Sequence, residues 1–175
     1  MKEETDIPMD ISNNNSTGSV IPLFGKLSDR SAETRIDAAA QLVKLVKTGS
    51  NENKDYTLNR LVKGLAANKG WSRPGFTMAL ISILKNCENV DVSVILDKMD
   101  EFLDSSSDSD NVKGVLLGRT FCLASLIKSE QGDLAQHVKI MKELFKILKT
   151  KEYLTQENLF ILSYLYVEFM SCQMI

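Results

Sequence analysis

Apolar residues recur every three or four positions along most of the chain, which is the spacing of amphipathic helices. In one segment this stripe runs from Ile36 through Ala40, Leu42 and Val43 to Val46. A similar stripe spaced i, i+4, i+7, i+11 and i+14 lies further along the chain, at Leu134, Val138, Met141, Phe145 and Leu148. Polar loops separate such segments, and no run alternates as a strand does. The pattern predicts an all-α fold of antiparallel helical hairpins.

Residues that favour helix N-caps precede most of these segments. The predicted caps are one of Ser28, Asp29 and Ser31, then Asp55, Ser72, Asp91, Asp133 and Thr155. Polar loops are expected at 48–54 and 104–111, and a helix is expected at 112–129. Residues 20–27, VIPLFGKL, are expected to form a short apolar turn.

The chain divides into a short polar tail and one helical region. Residues 1–18 are rich in Asn, Ser, Asp and Glu without periodicity, which predicts a disordered tail. Residues 19–175 are predicted to form a helical-repeat domain, an ARM/HEAT-like α-solenoid fragment in which each hairpin buries its face on the next. The apolar stretch at 159–170 carries Glu168 and is shorter than the roughly 20 residues of a bilayer span, so no membrane segment is predicted.

Residues 61–80, LVKGLAANKGWSRPGFTMAL, place a short break between two helical patterns. Gly70 suits the left-handed position that ends a helix. Ser72 suits the next N-cap, and Pro74 suits a first turn, where its missing N–H is not needed. The break is therefore interpreted as a hairpin corner, with Trp71 either packed beneath it or available to stack on a base.

Basic residues surround this corner. Arg60 and Lys63 are one helical turn apart, which predicts a shared face, and Lys69 and Arg73 lie at the corner itself. Lysine, arginine and helix N-termini are the groups that bind phosphates. These four residues are therefore the candidate contact for nucleic acid or an acidic partner, with a solvated helix face as the alternative.

Charge is unevenly distributed, although the net charge is only −2. Residues 41–90 hold eight basic and three acidic residues, and residues 91–110 hold seven acidic residues and one lysine. In the acidic loop, Ser105 and Ser107 each have an aspartate three residues further on, so both are candidate sites for an acid-directed kinase. An unmodified linker is the alternative interpretation.

Catalytic chemistry has little support in the sequence. The one histidine, His137, has no partner set for a metal or a nucleophile, and no phosphate-binding or nucleophile motif occurs. Cys87, Cys122 and Cys172 are too far apart for metal or redox spacing, so buried reduced thiols are predicted. The sequence predicts no enzyme, no cofactor, no metal and no small-molecule substrate.

Several segments resemble the DNA polymerase phi / Myb-binding protein 1A family. Residues 58–84, LNRLVKGLAANKGWSRPGFTMALISIL, are similar to its GLA-type helix, corner and R-x-G-F start. Residues 35–44 and 114–129, the latter GVLLGRTFCLASLIKS, look like its alanine-rich and G-x-x-A-L-I-x-S-type helices, and residues 149–162 follow it loosely. The chain departs from the pattern at Pro74 and Cys122.

The resemblance implies a nucleolar, non-catalytic scaffold in ribosomal RNA gene transcription or ribosome biogenesis. It implies binding to transcription factors or ribosome-assembly proteins, with rDNA or rRNA as further ligands. Family members are far longer, so the chain is expected to be their N-terminal fragment. No carboxylate constellation supports the polymerase in the family name. The alternative is a generic α-solenoid adaptor unrelated to the nucleolus.

Overall fold

A computed structural model describes residues 16–67, 72–104, 112–150, 163–165 and 167. Residues 16–150, apart from the gaps at 68–71 and 105–111, contain the helices α1 (Ser16–Lys26), α2 (Ala32–Thr48), α3 (Asn51–Leu65), α4 (Ser72–Asn86), α5 (Val92–Phe102), α6 (Val112–Ser129) and α7 (Leu134–Leu148). The described residues contain no strand, so the all-α prediction is confirmed.

The helices form two packed layers. In one layer α2 packs on α4 and α4 packs on α6, and in the other α1 packs on α3 and α3 packs on α5. Polar contacts from Asp91 to Gln136 and from Asp97 to Lys139 place α7 beside α5. Helix α3 also packs on α4 and α6. This arrangement of successive hairpins is the helical-repeat architecture that the sequence predicts.

Side-chain caps set where several helices begin. The hydroxyl of Ser31 accepts a hydrogen bond from the N–H of Thr34, and a carboxylate oxygen of Asp91 accepts one from Ser93 at 2.7 Å. At α7, Asp133 forms a reciprocal capping box with its N3 residue. The predictions of Ser31, Asp91 and Asp133 as caps are confirmed. Helix α4 begins at Ser72, so Ser72 is its first helical residue and not the predicted N-cap, and Pro74 lies in the first turn as expected.

The predicted cap at Asp55 is wrong. Helix α3 begins at Asn51, capped by the Ser50 hydroxyl, and this shortens the polar loop that was predicted at 48–54. Asp55 lies in the second turn, where it accepts a hydrogen bond from Lys98 of α5 at 2.5 Å. The carboxylate that was expected to end a loop therefore joins two helices.

The predicted apolar turn at 20–27 is also wrong, because most of it belongs to α1. Val20, Leu23, Phe24 and Leu27 recur at helical spacing and are all buried. Pro22 inside the helix costs about 3 kcal/mol or more. Burial of four large apolar side chains contributes about 1.5–3 kcal/mol each, which offsets that cost.

Some predicted features fall wholly or partly on residues that the structure does not describe. Helix α1 begins at Ser16, so residues 16–18 of the predicted tail are helical, and residues 1–15 lie outside the described residues. The same holds for the Gly70 corner, the Thr155 cap and Cys172, which remain predictions.

Two glycines permit close helix contacts. A Cβ atom on Gly75 of α4 would overlap the carbonyl oxygen of Leu27, and one on Gly118 of α6 would lie 3.0 Å from the backbone nitrogen of Ala66. Both neighbours are backbone atoms, which cannot turn away as a side chain can. A larger residue at Gly75 would overlap the backbone after α1, and one at Gly118 would need Ala66 to move by a few tenths of an ångström.

A buried guanidinium joins α5, α6 and α7. Arg119 of α6 is 9% exposed. It donates hydrogen bonds to Asp100 at 2.8 Å, to Glu143 at 2.6 Å and to the carbonyl oxygen of Leu103 at 3.0 Å. Among the described residues, no buried side-chain nitrogen or oxygen is left without a partner.

Glu143 of α7 is the buried carboxylate of this cluster, at 5% exposure. Burial by itself raises the pKa of Glu143, but hydrogen bonds from Lys146 and Arg119 outweigh burial and hold the pKa below its ordinary value. The carboxylate is therefore ionised at neutral pH and stabilises the charge of Arg119.

We expect Gly75→Ala to destabilise the fold by about 1–3 kcal/mol, because the added methyl group would overlap backbone. Urea unfolding followed by circular dichroism measures this loss. Gly25→Ala is the matched control, since a Cβ there meets nothing within 4 Å and alanine favours the helix. Equal stability of the two variants would contradict the close contact.

We expect Arg119→Met to cost roughly 3 kcal/mol at pH 7, because it leaves buried acceptors without their cation. The control is Lys85→Met, which removes the exposed 3.4 Å pair with Glu130 and should cost no more than about 1 kcal/mol. Urea unfolding compares the two variants.

The loss caused by Arg119→Met should depend on pH. The folded-state pKa of Glu143 is lowered, so the stabilisation from its ionised form is complete above the ordinary pKa of about 4.3 and disappears as pH falls through the folded value. The difference between wild type and Arg119→Met should therefore shrink in acid. A difference that stays constant down to acid unfolding would contradict this role of Glu143.

Candidate partner and nucleic-acid interface

Arg60 and Lys63 both lie on the exposed surface of α3, yet their charged ends reach different neighbours. The Arg60 guanidinium carbon lies 5.5 Å from the centroid of the Phe24 ring on α1. The Lys63 ammonium lies 4.0 Å from the centroid of the Phe102 ring on α5. Both are cation–π contacts, which leave the outer side of each cation open to solvent. The two charges therefore lie on either side of α3.

Arg73 has a structural contact at the α3–α4 corner. Its Nε atom donates a hydrogen bond to the carbonyl oxygen of Leu65 at 3.2 Å, and the side chain is half-buried. Leu65 is the last residue of α3, so this bond satisfies a carbonyl at the helix end. Lys69 and Trp71 lie outside the described residues, and their contacts remain predictions.

The candidate phosphorylation sites, Ser105 and Ser107, are also outside the described residues. They fall between the end of α5 at Phe102 and the start of α6 at Val112. The described acidic residues next to them in sequence are exposed, namely Asp104, Glu101 and Asp100. Phosphorylation of the two serines therefore remains a prediction.

The thiols and the histidine do not form a reactive set in the described part of the chain. Cys87 and Cys122 are buried and unpaired by disulfide, as predicted. Burial raises the pKa of both thiols, and that of Cys122 to about 12, so they are protonated and unreactive at neutral pH. His137 is half-buried on α7.

The described residues contain neither a cluster of metal ligands nor a helix that could span a membrane. No group of three or more His, Cys, Asp or Glu side chains is placed to hold a metal ion in residues 16–150, apart from the gaps at 68–71 and 105–111. No helix among those described has both the length and the apolar character needed to cross a membrane.

An apolar cleft between α2 and α4 is a feature that the sequence analysis missed. It has a volume of about 300 Å³, and its lining includes Ile36, Ala40 and Val43 of α2 and Met78 and Ser82 of α4. The predicted core stripe of α2 included Ile36 and Ala40, but both are exposed, Ile36 at 57%. The apolar stripe of α2 is wider than a single buried face, and this width was the sequence signal for a second, exposed apolar surface.

Lysines lie near the C-terminal ends of the two helices that form this cleft. Lys44 and Lys47 lie in the last turns of α2, and Lys85 lies in the last turn of α4. All three side chains are exposed. In the other layer, α5 exposes Asp97 and Asp100. Helix α3 of that layer exposes Arg60 and Lys63, so the layer carries charges of both signs.

Comparison with known proteins gives a consistent result. Residues 56–173 match the family model described as DNA polymerase phi. The rDNA transcriptional regulator pol5 of Schizosaccharomyces pombe is 30% identical over 119 residues, which are 65% of this chain and 12% of that protein. The rDNA transcriptional regulator POL5 of Saccharomyces cerevisiae is 26% identical over 173 residues, or 80% of this chain and 17% of that protein.

Myb-binding protein 1A of Mus musculus is 29% identical over 82 residues, covering 46% of this chain and 6% of that protein. The chain thus spans less than a fifth of the length of these relatives. No solved structure matches it significantly. The resemblance seen in the sequence is confirmed. Since the match at 56–173 covers more than half of the chain, the protein belongs to the DNA polymerase phi family.

Proposed function

We propose that this chain is a non-catalytic helical-repeat scaffold that acts in the regulation of rDNA transcription and ribosome biogenesis, in the nucleus and specifically the nucleolus. The observation that carries the proposal is the family match, because two similar proteins are named rDNA transcriptional regulators. A third similar protein is named for binding Myb, a name that refers to a partner rather than to a reaction.

The contacts of the charged residues support a scaffold. The buried cations Arg119 and Lys98 are each bound by carboxylates of neighbouring helices, so these groups hold the fold together. Nucleotidyl transfer by two metals needs paired carboxylates around an open site. The carboxylates Asp55, Asp100 and Glu143 are instead paired with lysine or arginine, which favours binding over polymerase chemistry.

The proposed partners are transcription factors or ribosome-assembly proteins, with rDNA or rRNA as further ligands. Arg60 and Lys63 are suited to such contacts, because both are exposed and each cation uses only one side on a phenyl ring. Lys69 belongs to the same candidate surface. Arg73 is the weakest of the four candidates, since its guanidinium is half-buried and donates to a helix-end carbonyl.

We expect the tagged, genomically expressed protein to localise to the nucleolus and to be enriched on rDNA by chromatin immunoprecipitation. Acute depletion should lower the labelling of new precursor rRNA, and re-expression should restore it. The purified protein should incorporate no nucleotides on a primed template with Mg²⁺. Diffuse cytoplasmic signal with unchanged rRNA labelling would favour the general adaptor, and incorporation that follows the pure protein would contradict a non-catalytic role.

We expect Arg60→Glu with Lys63→Glu to weaken recovery of the protein's rRNA, rDNA or protein partners. Loss of the two ring contacts should cost only about 0.5–1 kcal/mol each, so the fold is retained. If the ligand is nucleic acid, the slope of log affinity against log salt should fall by roughly 1 for each lost phosphate contact. Binding that resists nuclease and shows no such change identifies a protein partner.

The matched control is Lys142→Glu with Lys149→Glu, which makes the same change in net charge on exposed residues elsewhere. Both double variants should unfold at similar urea concentrations. Equal binding by the two variants would show that Arg60 and Lys63 make no specific contact.

A further inference from the structure

We propose that the cleft between α2 and α4 binds an acidic amphipathic segment of a partner protein. Apolar side chains of the segment would enter the cleft, and its carboxylates would lie beside Lys44, Lys47 and Lys85. Such a segment would belong to a protein partner of the scaffold proposed above, and only this biological setting rests on the proposed function.

The floor of the cleft is apolar because α2 carries two apolar faces. One face is buried in the core and contains Ala38, Leu42 and Val46. The other contains Ile36 and Ala40, which are exposed. An exposed aliphatic residue indicates a binding surface when it belongs to a contiguous apolar patch.

The patch continues across to α4. Met78 of α4 lies opposite Ile36 and Val43, and Ser82 adds one small polar group. Alanine at position 40 leaves the mouth of the cleft open. A volume of about 300 Å³ accommodates one or two large aliphatic side chains, and methionine adapts readily to the shape of such groups. The cleft is therefore suited to the apolar side of a short helix.

The three lysines lie at the same end of the cleft. The thiol of Cys87, just after α4, lies 3.9 Å from the carbonyl oxygen of Val43, which places the end of α4 beside the last turns of α2. Among the described residues, Lys85 pairs with exposed Glu130 at 3.4 Å, and such exposed pairs exchange easily. Among the described residues, the ammonium groups of Lys44 and Lys47 have no carboxylate partner.

Acidic residues lie near the opposite end of the cleft, so its two ends differ in charge. Glu33 and Asp37 lie in the first half of α2 and are exposed. Carboxylates of a bound segment would be repelled there and attracted at the lysine end. The segment should therefore place its acidic residues over the C-terminal ends of α2 and α4, since complementary potentials determine orientation.

A protein segment fits this surface better than a nucleic acid does. Phosphates would be attracted to the lysines, but they would leave the apolar floor uncovered. Single-stranded nucleic acids bind through aromatic side chains on which bases stack. The cleft lining contains aliphatic, methionine, serine and asparagine residues and no aromatic ring.

The test uses the full 175-residue chain with ¹³C-labelled methionine methyl groups. The probe is a synthetic amphipathic peptide with leucine at i, i+4 and i+7 and glutamate on the remaining face. A second peptide replaces each glutamate with lysine, and an oligouridine serves as the nucleic-acid probe. The Met78 methyl signal is assigned by its loss in Met78→Leu. We expect the glutamate peptide to shift this signal and the lysine peptide to leave it unchanged.

Two variants separate the parts of the site. Lys44→Glu with Lys47→Glu should weaken binding of the glutamate peptide about tenfold or more, because complementary charges become like charges. Ala40→Gln should block the mouth of the cleft at an exposed position that tolerates a longer side chain. The control, Lys142→Glu with Lys149→Glu, should bind as wild type does.

Three results would overturn the proposal: no shift of Met78 with the glutamate peptide, an equal shift with the lysine peptide, or preferential binding of the oligouridine. The measurement involves neither rDNA nor cells. Its failure would therefore leave the proposed role in rDNA transcription standing, and failure of that role would leave the peptide result intact.

Discussion

The buried guanidinium of Arg119 constrains the positions of α5, α6 and α7 relative to one another. An ion removed from water is tolerated only where acceptors surround it. Here the acceptors come from three places, the side chain of Asp100 on α5, the carbonyl oxygen of Leu103 after α5, and Glu143 on α7. Because α6 can bury this charge only with both neighbours in place, the three helices are fixed relative to one another.

The earlier helices are held together by contacts of a different kind. Gly64 of α3 lies against the Phe76 ring, and Gly75 and Gly118 lie against backbone of other segments. These glycines and Arg119 are among the residues that carry the family resemblance. The shared motifs therefore contain residues that determine how the helices pack.

Local signals predicted much of the fold. The helix predicted at 112–129 agrees with α6, and the caps at Asp91 and Asp133 are correct, because capping depends on residues two or three positions apart. The errors required knowledge of distant residues. Pro22 lies inside a helix since four apolar neighbours are buried beneath it. Asp55 lies within α3 because Ser50 caps that helix five residues earlier, and its contact with Lys98 of α5 could not be read from local sequence.

The candidate site was predictable to a smaller degree. The sequence placed Arg60 and Lys63 on one helix surface, and both are exposed on α3. It did not reveal the rings of Phe24 and Phe102, which draw the two cations to different sides. Likewise, the apolar stripe of α2 identified a helix, but Ile36 faces solvent. The buried face of α2 consists of Ala38, Ala39, Leu42 and Val46. Which side of an amphipathic pattern is buried depends on the neighbouring helices.

Some charged side chains of this molecule pair across helices and stabilise the fold, whereas other exposed cations have no carboxylate partner among the described residues. Lys98 of α5 pairs with Asp55 of α3, and Lys139 of α7 pairs with Asp97 of α5, so these charges are neutralised locally. In the last turns of α2, the side chains of Lys44 and Lys47 are exposed and contribute little to helix packing. A small net charge thus conceals a surface whose positive potential remains available to a partner, and long-range potential of this kind speeds association.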